Sequence, residues 1–501
     1  MKVAAKPRVR VTADGKLVHM NAQYEGGSSA PRIRSKGAFA TGPNTPIARS
    51  LPLLQSRSHN IIRNNAYAWG ALDAYVANLV GTGIRPKWGN EQIQKLWDRW
   101  VLEADADGVD SFYSLQALAT AGQFAGGEAF GRFRYRRVED GLSVPLQFQV
   151  LESEHLDPAF SRVNGDRLIK MGIEFDGIGQ RRAYHFWRFH PHEKLTMEIN
   201  SRVPVPARDV VHMFRRTRPG QMRGVPELTS VILRLYEIDE MQDALLARQK
   251  LGQLFGAFVK RKPDADIEED GPFFGTQVSM GDGGEQLTEF VPGAIHYLED
   301  GEEVTFSSPP GIETAYSEWI RGELHAVAKG AGLTHEQLTG DLKGVNYSSI
   351  RAGLLEFRRR AEALQAHMLI NQLCRPVAAK WLDVAVMTGK VQLPDYWKLR
   401  TAYLAIDWTA PKWIWVDPLK EITADILEVR AGFTPRSEKA AERQWSLADL
   451  DNAISESNQS ADDHSLVLDS DPRRTTRAGL SPAKDMTAGD QTEDEEAENA
   501  Q

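Results

Sequence analysis

The stretch GDLKGVNYSSIRAGLLEFRRRAEALQAHM, residues 340–368, joins a glycine-rich polar loop to the clearest helical pattern in the chain. Apolar residues recur in it in steps of three and four, at Ile350, Leu354, Phe357, Ala361, Leu364 and Met368. This narrow apolar seam predicts a helix that packs along one side against another helix. Ser348 or Ser349 is suited to cap its start.

The polar loop carries one lysine between two glycines. Gly340 and Gly344 free the backbone at either end of Asp341, Leu342 and Lys343. Lysine is a compact charge on a flexible stem, which suits brief contacts with phosphate better than a rigid bidentate clamp. Taken alone, the loop is either an ordinary surface loop or a phosphate-contacting one.

Three consecutive arginines follow in the middle of the predicted helix, at Arg358, Arg359 and Arg360. They are typical either of a solvated helix face with ion pairs between subunits or of a surface that grips nucleic acid.

Composition indicates a globular chain. The 501 residues are enough for two to four domains, and a hydrophobic content of 42% allows packed cores. The one cysteine, Cys374, cannot form an internal disulfide, which fits a reducing cytoplasm. The sequence has no apolar run long enough to span a membrane and no apolar N-terminal stretch typical of a signal peptide.

Charge is distributed unevenly under a net of -8. Residues 1–37 carry eight Lys/Arg and two Asp/Glu, whereas residues 451–501 carry four and thirteen, and the part between them has a net charge of -5. A domain that binds DNA tightly through phosphates is normally basic. We therefore expect any duplex to be held weakly or to slide. The acidic tail is either solvated or a docking segment.

In the first half, the patterns predict helices and antiparallel hairpins. A helical period runs from His59 to Val80 and is stopped by Gly81-Thr82-Gly83. A second helix is capped near Asp110-Ser111. Alternation predicts strands in EAFGRFRYRR and around Leu146, Phe148 and Val150, with a turn at Asp140-Gly141, and a second hairpin around Asp176-Gly177.

In the second half, a long helix is predicted from Pro226 to Val259, with Glu237, Glu240 and Asp243 on a face separate from its apolar side. The pattern breaks from Lys260 to Pro310, which indicates a small separate module. A further helix is predicted from Ile312 to Gly330.

Catalytic patterns are missing from the sequence. It has no Walker-type phosphate loop and no G-x-S-x-G elbow. The segment Glu103–Ser114 imitates a calcium loop but has serine where the closing glutamate belongs. His190 and His192 flank a proline, near His185, without a third ligand at recognisable spacing. We therefore expect no enzyme activity, no metal and no cofactor.

Segments spread along the chain, in order, resemble the lambda-type portal proteins of tailed bacteriophages. The resemblance covers roughly residues 45–435 and leaves out both tails. The segments are SRSHNIIRNNAYAWGALDAYVANLVGTGIRP, DGVDSFYSLQALA, GGEAFGRF, LESEHLD, VPARDVVHMFRRTRPGQMRGVPEL, LEDGEEVTFSSPPG, GLTHEQLTGDLKGVNYSSIRAGLLEFRR and WVDPLKEITADILEVRAGFTP.

The resemblance implies an α+β ring subunit with a mixed α/β wing, an α-helical stem, a small α/β clip and a helical crown. The implied order is a flexible basic arm at 1–45, the wing at 46–224, a stem helix at 225–259, the clip at 260–310, a second stem helix at 311–332, a tunnel loop at 333–349, a long helix with the rest of the wing and the crown at 350–450, and an acidic disordered tail at 451–501.

The resemblance also implies a function. Such proteins form a dodecameric ring at one capsid vertex of the virion, assembled in the host cytoplasm, through which double-stranded DNA is packaged and ejected. The implied partners are the terminase large subunit, major capsid and scaffolding proteins, and head-completion proteins, with no membrane. By this analogy the tunnel loop that meets DNA comprises Gly340, Asp341, Leu342, Lys343, Gly344, Val345 and Asn346, and the acidic residues that face the channel are Glu237, Glu240 and Asp243.

Two other readings stay open from the residues. One is a DNA-packaging enzyme of the terminase or nuclease kind, which would need converging carboxylates and, if driven by ATP, a phosphate loop. The other is a different virion scaffold, such as a tail component.

Overall fold

The computed structural model describes residues 9–11, 17–19, 41–164, 167–193, 199–253, 257–261, 278–280, 286–288, 302–306, 314–344, 347–411, 418–442, 445 and 447–466. Its helices are α1 (Asn44–Asn64), α2 (Ala66–Leu79), α3 (Glu91–Val101), α4 (Phe112–Gly126), α5 (Ile232–Gln253), α6 (Thr314–Ala331), α7 (His335–Thr339), α8 (Tyr347–Leu364), α9 (Arg375–Met387), α10 (Tyr396–Tyr403), α11 (Pro418–Arg430), α12 (Arg436–Glu442) and α13 (Leu447–Asp463). The mixture of helices and small antiparallel sheets confirms the predicted α+β class. Among the described residues, no helix has the length and apolar character needed to cross a bilayer.

The strands are β1 (Val9–Val11), β2 (Leu17–His19), β3 (Arg85–Lys87), β4 (Glu128–Tyr135), β5 (Leu146–Leu151), β6 (Arg162–Asn164), β7 (Arg167–Lys170), β8 (Ile173–Phe175), β9 (Arg181–Trp187), β10 (Arg202–Pro206), β11 (Val210–Phe214), β12 (Ala257–Arg261), β13 (Val278–Met280), β14 (Gln286–Thr288), β15 (Glu302–Phe306) and β16 (Asp407–Thr409). One sheet has the order β11-β4-β5, and a larger one the order β10-β9-β8-β7-β6.

Both predicted hairpins of the first half are confirmed. Strands β4 and β5 pair antiparallel, with Phe133 opposite Phe148 and Gly131 opposite Val150. A Cβ on Gly131 would lie 1.9 Å from Cζ of Phe148, so only glycine allows this ring to lie across the strand. Strands β8 and β9 form the second hairpin, on either side of Asp176-Gly177.

The helical period from His59 to Val80 is not one helix. It is broken at Asn65, whose backbone is extended (φ -114°, ψ 125°), while the end at Leu79 before Gly81 is as predicted. The Oδ1 atom of Asn65 accepts from the amide of Ala68 at 2.9 Å, and its Nδ2 donates to Asp239 of α5 at 2.6 Å. The apolar period continues through the break, which is why the sequence pattern did not reveal it.

Replacing Asn65 by alanine is expected to lower the free energy of unfolding by about 1–3 kcal/mol, because it removes a helix cap and leaves the half-buried Asp239 without its donor. Urea denaturation at one fixed protein concentration measures the change. Asn64→Ala is the matched control, since Asn64 is exposed and bonds only within its own helix, to Asn60. Equal losses in the two variants would contradict the role of Asn65.

Tryptophans from distant segments form the centre of the main core. Trp97 and Trp100 of α3 pack against Trp381 of α9, and the rings of Trp97 and Trp381 meet edge to face at 4.9 Å. The predicted helix α4 begins here, with Ser111 accepting from the amide of Ser114 at its N-terminus. Its first residue, Phe112, lies against Trp97 at 5.5 Å. The core therefore joins the first half of the chain to the helices after residue 350.

A buried charge network fixes the chain where it leaves the sheets for α5. The carboxylate of Glu128 on β4 pairs with Arg223, accepts from the amide of Gly224 at 2.9 Å and lies 2.9 Å from Nε2 of His212 on β11. Burial raises the pKa of Glu128, but Arg223 and His212 outweigh it and hold the pKa at about 2. Burial lowers the pKa of His212 to about 4.

The long helix predicted from Pro226 to Val259 is shorter than predicted at both ends. A turn at Glu227–Ser230 follows Pro226, helix α5 begins at Ile232 and ends at Gln253, and Val259 lies in a strand, β12. Strand β12 pairs antiparallel with β15, Lys260 opposite Glu303, so the two ends of the predicted 260–310 module meet. Most of that module lies outside the described residues. The helix predicted from Ile312 is α6, which begins at Thr314.

The apolar seam quoted first lies on a helix that continues far beyond it. Helix α8 begins at Tyr347, so Ser348 and Ser349 lie within its first turn and not before it. Phe357, Ala361 and Met368 are buried, as the seam predicts. A π-helical segment, Gln365–Cys374, follows and leads directly into α9. The seam therefore packs into the main core.

The first part of the predicted acidic tail is helical. Helix α13 reaches Asp463, and Asp451 on it lies 2.7 Å from Arg436 of α12. The expectation of disorder from residue 451 is thus wrong for the first residues, and residues 467–501 lie outside the described ones. The basic arm at 1–45 is described only at β1, β2 and from residue 41 onward.

Candidate functional site

Helix α6 contacts both the predicted loop and helix α5, which carries the predicted acidic residues. Glu323 of α6 lies 2.8 Å from Arg234 of α5, and Arg321, two residues earlier, donates to the carbonyl of Lys343 at 2.8 Å. Leu324, Val327 and Ala328 bury the other side of α6 in the core. One helix therefore makes both contacts. Nothing in the sequence pattern singled out Arg321, because an arginine on a polar helix face is unremarkable.

The short helix α7 precedes the loop and was not predicted within the 333–349 range. Thr334 caps it, accepting from the amide of Gln337 at 3.2 Å, while Gln337 accepts from the amide of Thr334 at 3.1 Å. His335 is buried beneath it and stacks on His325 of α6 at 4.0 Å. Burial, then the neighbouring His325, lowers the pKa of His335. The loop thus begins only after Thr339, and its start is fixed to α6.

A tight turn at residues 340–344 forms the loop itself. Gly340 ends α7 with a left-handed backbone (φ 69°), and its amide donates to the carbonyl of Glu336 at 2.8 Å. The carboxylate of Asp341 accepts from the amide of Lys343 at 2.8 Å. The side chain of Asp341 therefore organises the turn by accepting from the backbone amide two residues later, in the manner of an Asx turn.

The side chains of Leu342 and Lys343 extend from this turn into solvent. Leu342 is 63% exposed, and Lys343 is exposed although its backbone is held at both ends. The structure thus brings Gly340, Asp341, Leu342, Lys343 and Gly344 together as one exposed turn. Val345 and Asn346, which were predicted with them, lie outside the described residues.

The predicted acidic residues lie on the outer side of α5. Glu237, Glu240 and Asp243, here called the acidic row, are all exposed, whereas Leu235 and Ile238 are buried on the inner side. Three large apolar side chains share the exposed surface of this helix, namely Leu233, Met241 and Leu246. The surface of α5 is therefore both acidic and partly apolar.

The three mid-helix arginines differ in their surroundings. Arg360 lies 3.6 Å from Glu227, which Arg215 also contacts at 3.0 Å, and burial lowers the pKa of Arg360 while Glu227 raises it. Arg358 is half-buried, and Arg359 is exposed. The contact of Arg360 favours the ion-pair interpretation for that residue, within one subunit.

In the segment that imitates a calcium loop, the carboxylate of Asp105 accepts hydrogen bonds from backbone amides. Both oxygens of Asp105 accept from amides, those of Asp107 at 3.1 Å, Val109 at 2.9 Å and Asp110 at 3.0 Å. Burial raises the pKa of Asp105, but these three donors together lower it below the ordinary value. This carboxylate therefore shapes the loop that leads to the cap of α4.

Two other candidate groups also have structural partners. His185 lies 3.0 Å from the carboxylate of Glu174, across neighbouring strands. Cys374 is buried in the π-helical segment, and burial raises the pKa of its thiol, which keeps it protonated and unreactive at neutral pH.

Comparison with known proteins gives consistent matches. The family model described as phage portal protein, lambda family, matches residues 29–365. The chain is 26% identical over 282 residues to the probable portal protein of Halomonas phage phiHAP-1, covering 55% of this chain and 52% of that protein, so it spans about half the length of that relative. It is 20% identical over 483 residues to portal protein B of Escherichia phage lambda, covering 84% of this chain and 86% of that protein.

One match among solved structures has low similarity. A chain from the virion of the native gene transfer agent particle is 14% identical, with a TM-score of 0.44, and the similarity covers 83% of this chain and 98% of that one.

Proposed function

Because the chain belongs to the lambda family of phage portal proteins, we propose that it forms a dodecameric ring at one vertex of a viral head, through which double-stranded DNA enters and leaves. The observation that carries this proposal is the family match, which spans the two sheets, helices α1 to α8 and the 340–344 turn. The ring would be part of the virion and would be built in the host cytoplasm.

In this proposal, α5, α6 and the 340–344 turn of each subunit face the central channel. A channel must let its cargo move, and every strong phosphate contact would resist that movement. The acidic row, exposed on α5, would repel the duplex from the wall. Lys343, exposed on a turn whose backbone is held by Asp341 and Arg321, would make brief contacts that centre it.

The exposed apolar side chains of α5 have a use in the same assembly. Leu233, Met241 and Leu246 are exposed in the single subunit, and covering these large apolar side chains would be favourable. In the ring they would pack against a neighbouring copy. The terminase large subunit, the capsid and scaffolding proteins and the head-completion proteins would dock on the ring, whose own role is structural and not enzymatic.

Native mass spectrometry of the purified chain tests this function. The proposal predicts a closed ring, with twelve copies in the assembled head. A monomer with magnesium-dependent nuclease activity would favour a packaging enzyme. A three-fold or six-fold assembly would favour a tail component. Either of these two results would overturn the proposal.

Replacing Lys343 by alanine is expected to lower the retention of packaged DNA by up to about fivefold, since an exposed ion pair contributes about 0–1 kcal/mol. A nuclease-protection assay on filled heads measures retention. Lys343→Arg should retain DNA like the wild type because it keeps the charge.

Lys95→Ala, on an exposed ion pair with Glu91 in α3, is the control for loss of a surface lysine and should have no effect. Retention and packaging speed equal to the wild type in Lys343→Ala would remove the role proposed for the turn.

A further inference from the structure

A cluster of histidines and glutamates lies where the two main sheets of the first half approach each other. Glu152 and Glu154 follow strand β5, and His190 lies in the connection after β9. One ligand atom from each of these three residues lies within 4.8 Å of the other two. Sequence spacing could not reveal this group, because the histidine is more than thirty residues from the glutamates.

We propose that Glu152, Glu154 and His190 bind a single zinc ion. Imidazole and carboxylate together are a donor set that Zn²⁺ accepts, whereas Ca²⁺ and Mg²⁺ prefer oxygen donors alone. Three protein ligands leave a position for water. The site is unrelated to the proposed channel surface, and it lies outside the chemistry expected from the sequence, which predicted no metal.

One contact within the cluster has the spacing of two ligands to a shared ion. Nε2 of His190 lies 3.1 Å from Oε2 of Glu152. That Nε2 atom is nevertheless buried without the geometry of a hydrogen bond. Two donors about 2.0–2.1 Å from one tetrahedral ion lie about 3.3 Å apart, so this contact fits donors that point at a common centre.

Neighbouring groups contact two of the three ligands, Glu154 and His190. Nε2 of His59, on α1, lies 3.0 Å from Oε1 of Glu154, and Ser153 donates to Oε2 of Glu154 at 2.8 Å. The ring of His155 packs edge-on against His190 at 5.3 Å. Metal ligands in proteins are commonly oriented by such outer contacts.

One contact opposes zinc binding and is weak. The amide of His192 lies 3.3 Å from Nδ1 of His190, an arrangement that favours the proton on Nε2. Zinc would displace that proton, which would move to solvent or to Nδ1. Because the contact is longer than an ordinary N–H hydrogen bond, its loss costs little.

A bound ion would connect three parts of the subunit. Strand β5 belongs to the sheet β11-β4-β5 and β9 to the five-stranded sheet, while His59 of α1 contacts Glu154. The ion would therefore cross-link the two sheets and, through Glu154, the first helix.

Calorimetric titration of ZnCl₂ into the full-length chain, free of affinity tags and stripped with EDTA, tests the site. We expect one Zn²⁺ per subunit with a Kd at or below about 10 µM. Saturating zinc should also raise the melting temperature by several degrees over the EDTA sample. X-ray fluorescence of the dialysed protein gives the stoichiometry independently.

Variants separate this site from adventitious binding. His190→Gln and Glu154→Gln should each weaken zinc binding at least about tenfold, whereas His367→Gln, on an exposed part of the π-helical segment, should bind like the wild type. If His190→Gln melts below the wild type in EDTA, Glu152→Gln replaces it, since that carboxylate is 56% exposed. No saturable binding, or wild-type affinity in these ligand variants, would overturn the proposal.

Discussion

Replacing Glu128 by glutamine is expected to lower the free energy of unfolding by about 3–5 kcal/mol, the cost of removing one partner of a buried ion pair. Arg223 has no exposed side-chain surface, and its other partners are the backbone carbonyls of Met171 at 2.9 Å and Ser153 at 3.3 Å. Neutral carbonyls cannot compensate a buried guanidinium. The variant would therefore leave a positive charge in the core.

The same substitution would loosen the start of α5. The amide of Gly224 donates to the carboxylate of Glu128, and α5 begins eight residues later. His212, which lies 2.9 Å from the same carboxylate oxygen, Oε2, also contacts Arg181 at 2.9 Å. Because these groups join two sheets to the chain that leads into α5, we expect the loss to reach the whole subunit and not one loop.

Urea denaturation at one fixed protein concentration measures this effect. Glu91→Gln is the control, since Glu91 and Lys95 form an exposed pair on α3, and its change should stay within about 0.5 kcal/mol. Arg223→Gln together with Glu128→Gln should cost less than the sum of the single changes, because both remove the same pair. A loss below about 1 kcal/mol for Glu128→Gln would contradict the importance of the network.

Reversing the charge of the acidic row is expected to turn a passive channel wall into a surface that holds DNA. The variant Glu237→Lys, Glu240→Lys, Asp243→Lys places three new cations on α5 in every copy of the ring. Each lysine that reaches a phosphate makes the slope of log affinity against log salt more negative by about 0.9. We expect DNA passage to slow by more than about tenfold at low salt and to recover as salt rises.

A packaging assay at two salt concentrations and filter binding of duplex DNA to the purified ring measure the two effects. The matched control makes the same change in net charge elsewhere, on three exposed residues, Glu91→Lys, Glu139→Lys and Glu438→Lys. If the two triple variants behave alike, the effect belongs to net charge. If the row variant packages DNA like the wild type, the acidic row does not line the channel.

Local signals in the sequence predicted local structure well. Ser111 caps α4, and both hairpins lie where alternation and Asp-Gly turns indicated them, because each of these features depends on a few adjacent residues. The seam at Phe357, Ala361 and Met368 is buried as predicted. The sequence pattern did not reveal the break at Asn65, because the apolar period continues unchanged on both sides of it.

Long-range chemistry was not readable from the sequence. Glu128 and Arg223 are 95 positions apart, and nothing in either neighbourhood indicates that they pair in the core. The same is true of Arg321, which holds the 340–344 turn through the carbonyl of Lys343. The sequence predicted the turn itself from its two glycines. The partners that fix its position depend on packing between α6 and the turn.

The central claim is that copies of this chain close around a hollow axis lined by the acidic row and the 340–344 turn. Cryo-electron microscopy of the purified protein, with a map at side-chain resolution viewed along the symmetry axis, tests it most directly. The account predicts a ring with a central hole onto which these two features face. Particles without a hole at any protein concentration, or a ring that carries both features on its outer wall, would contradict it.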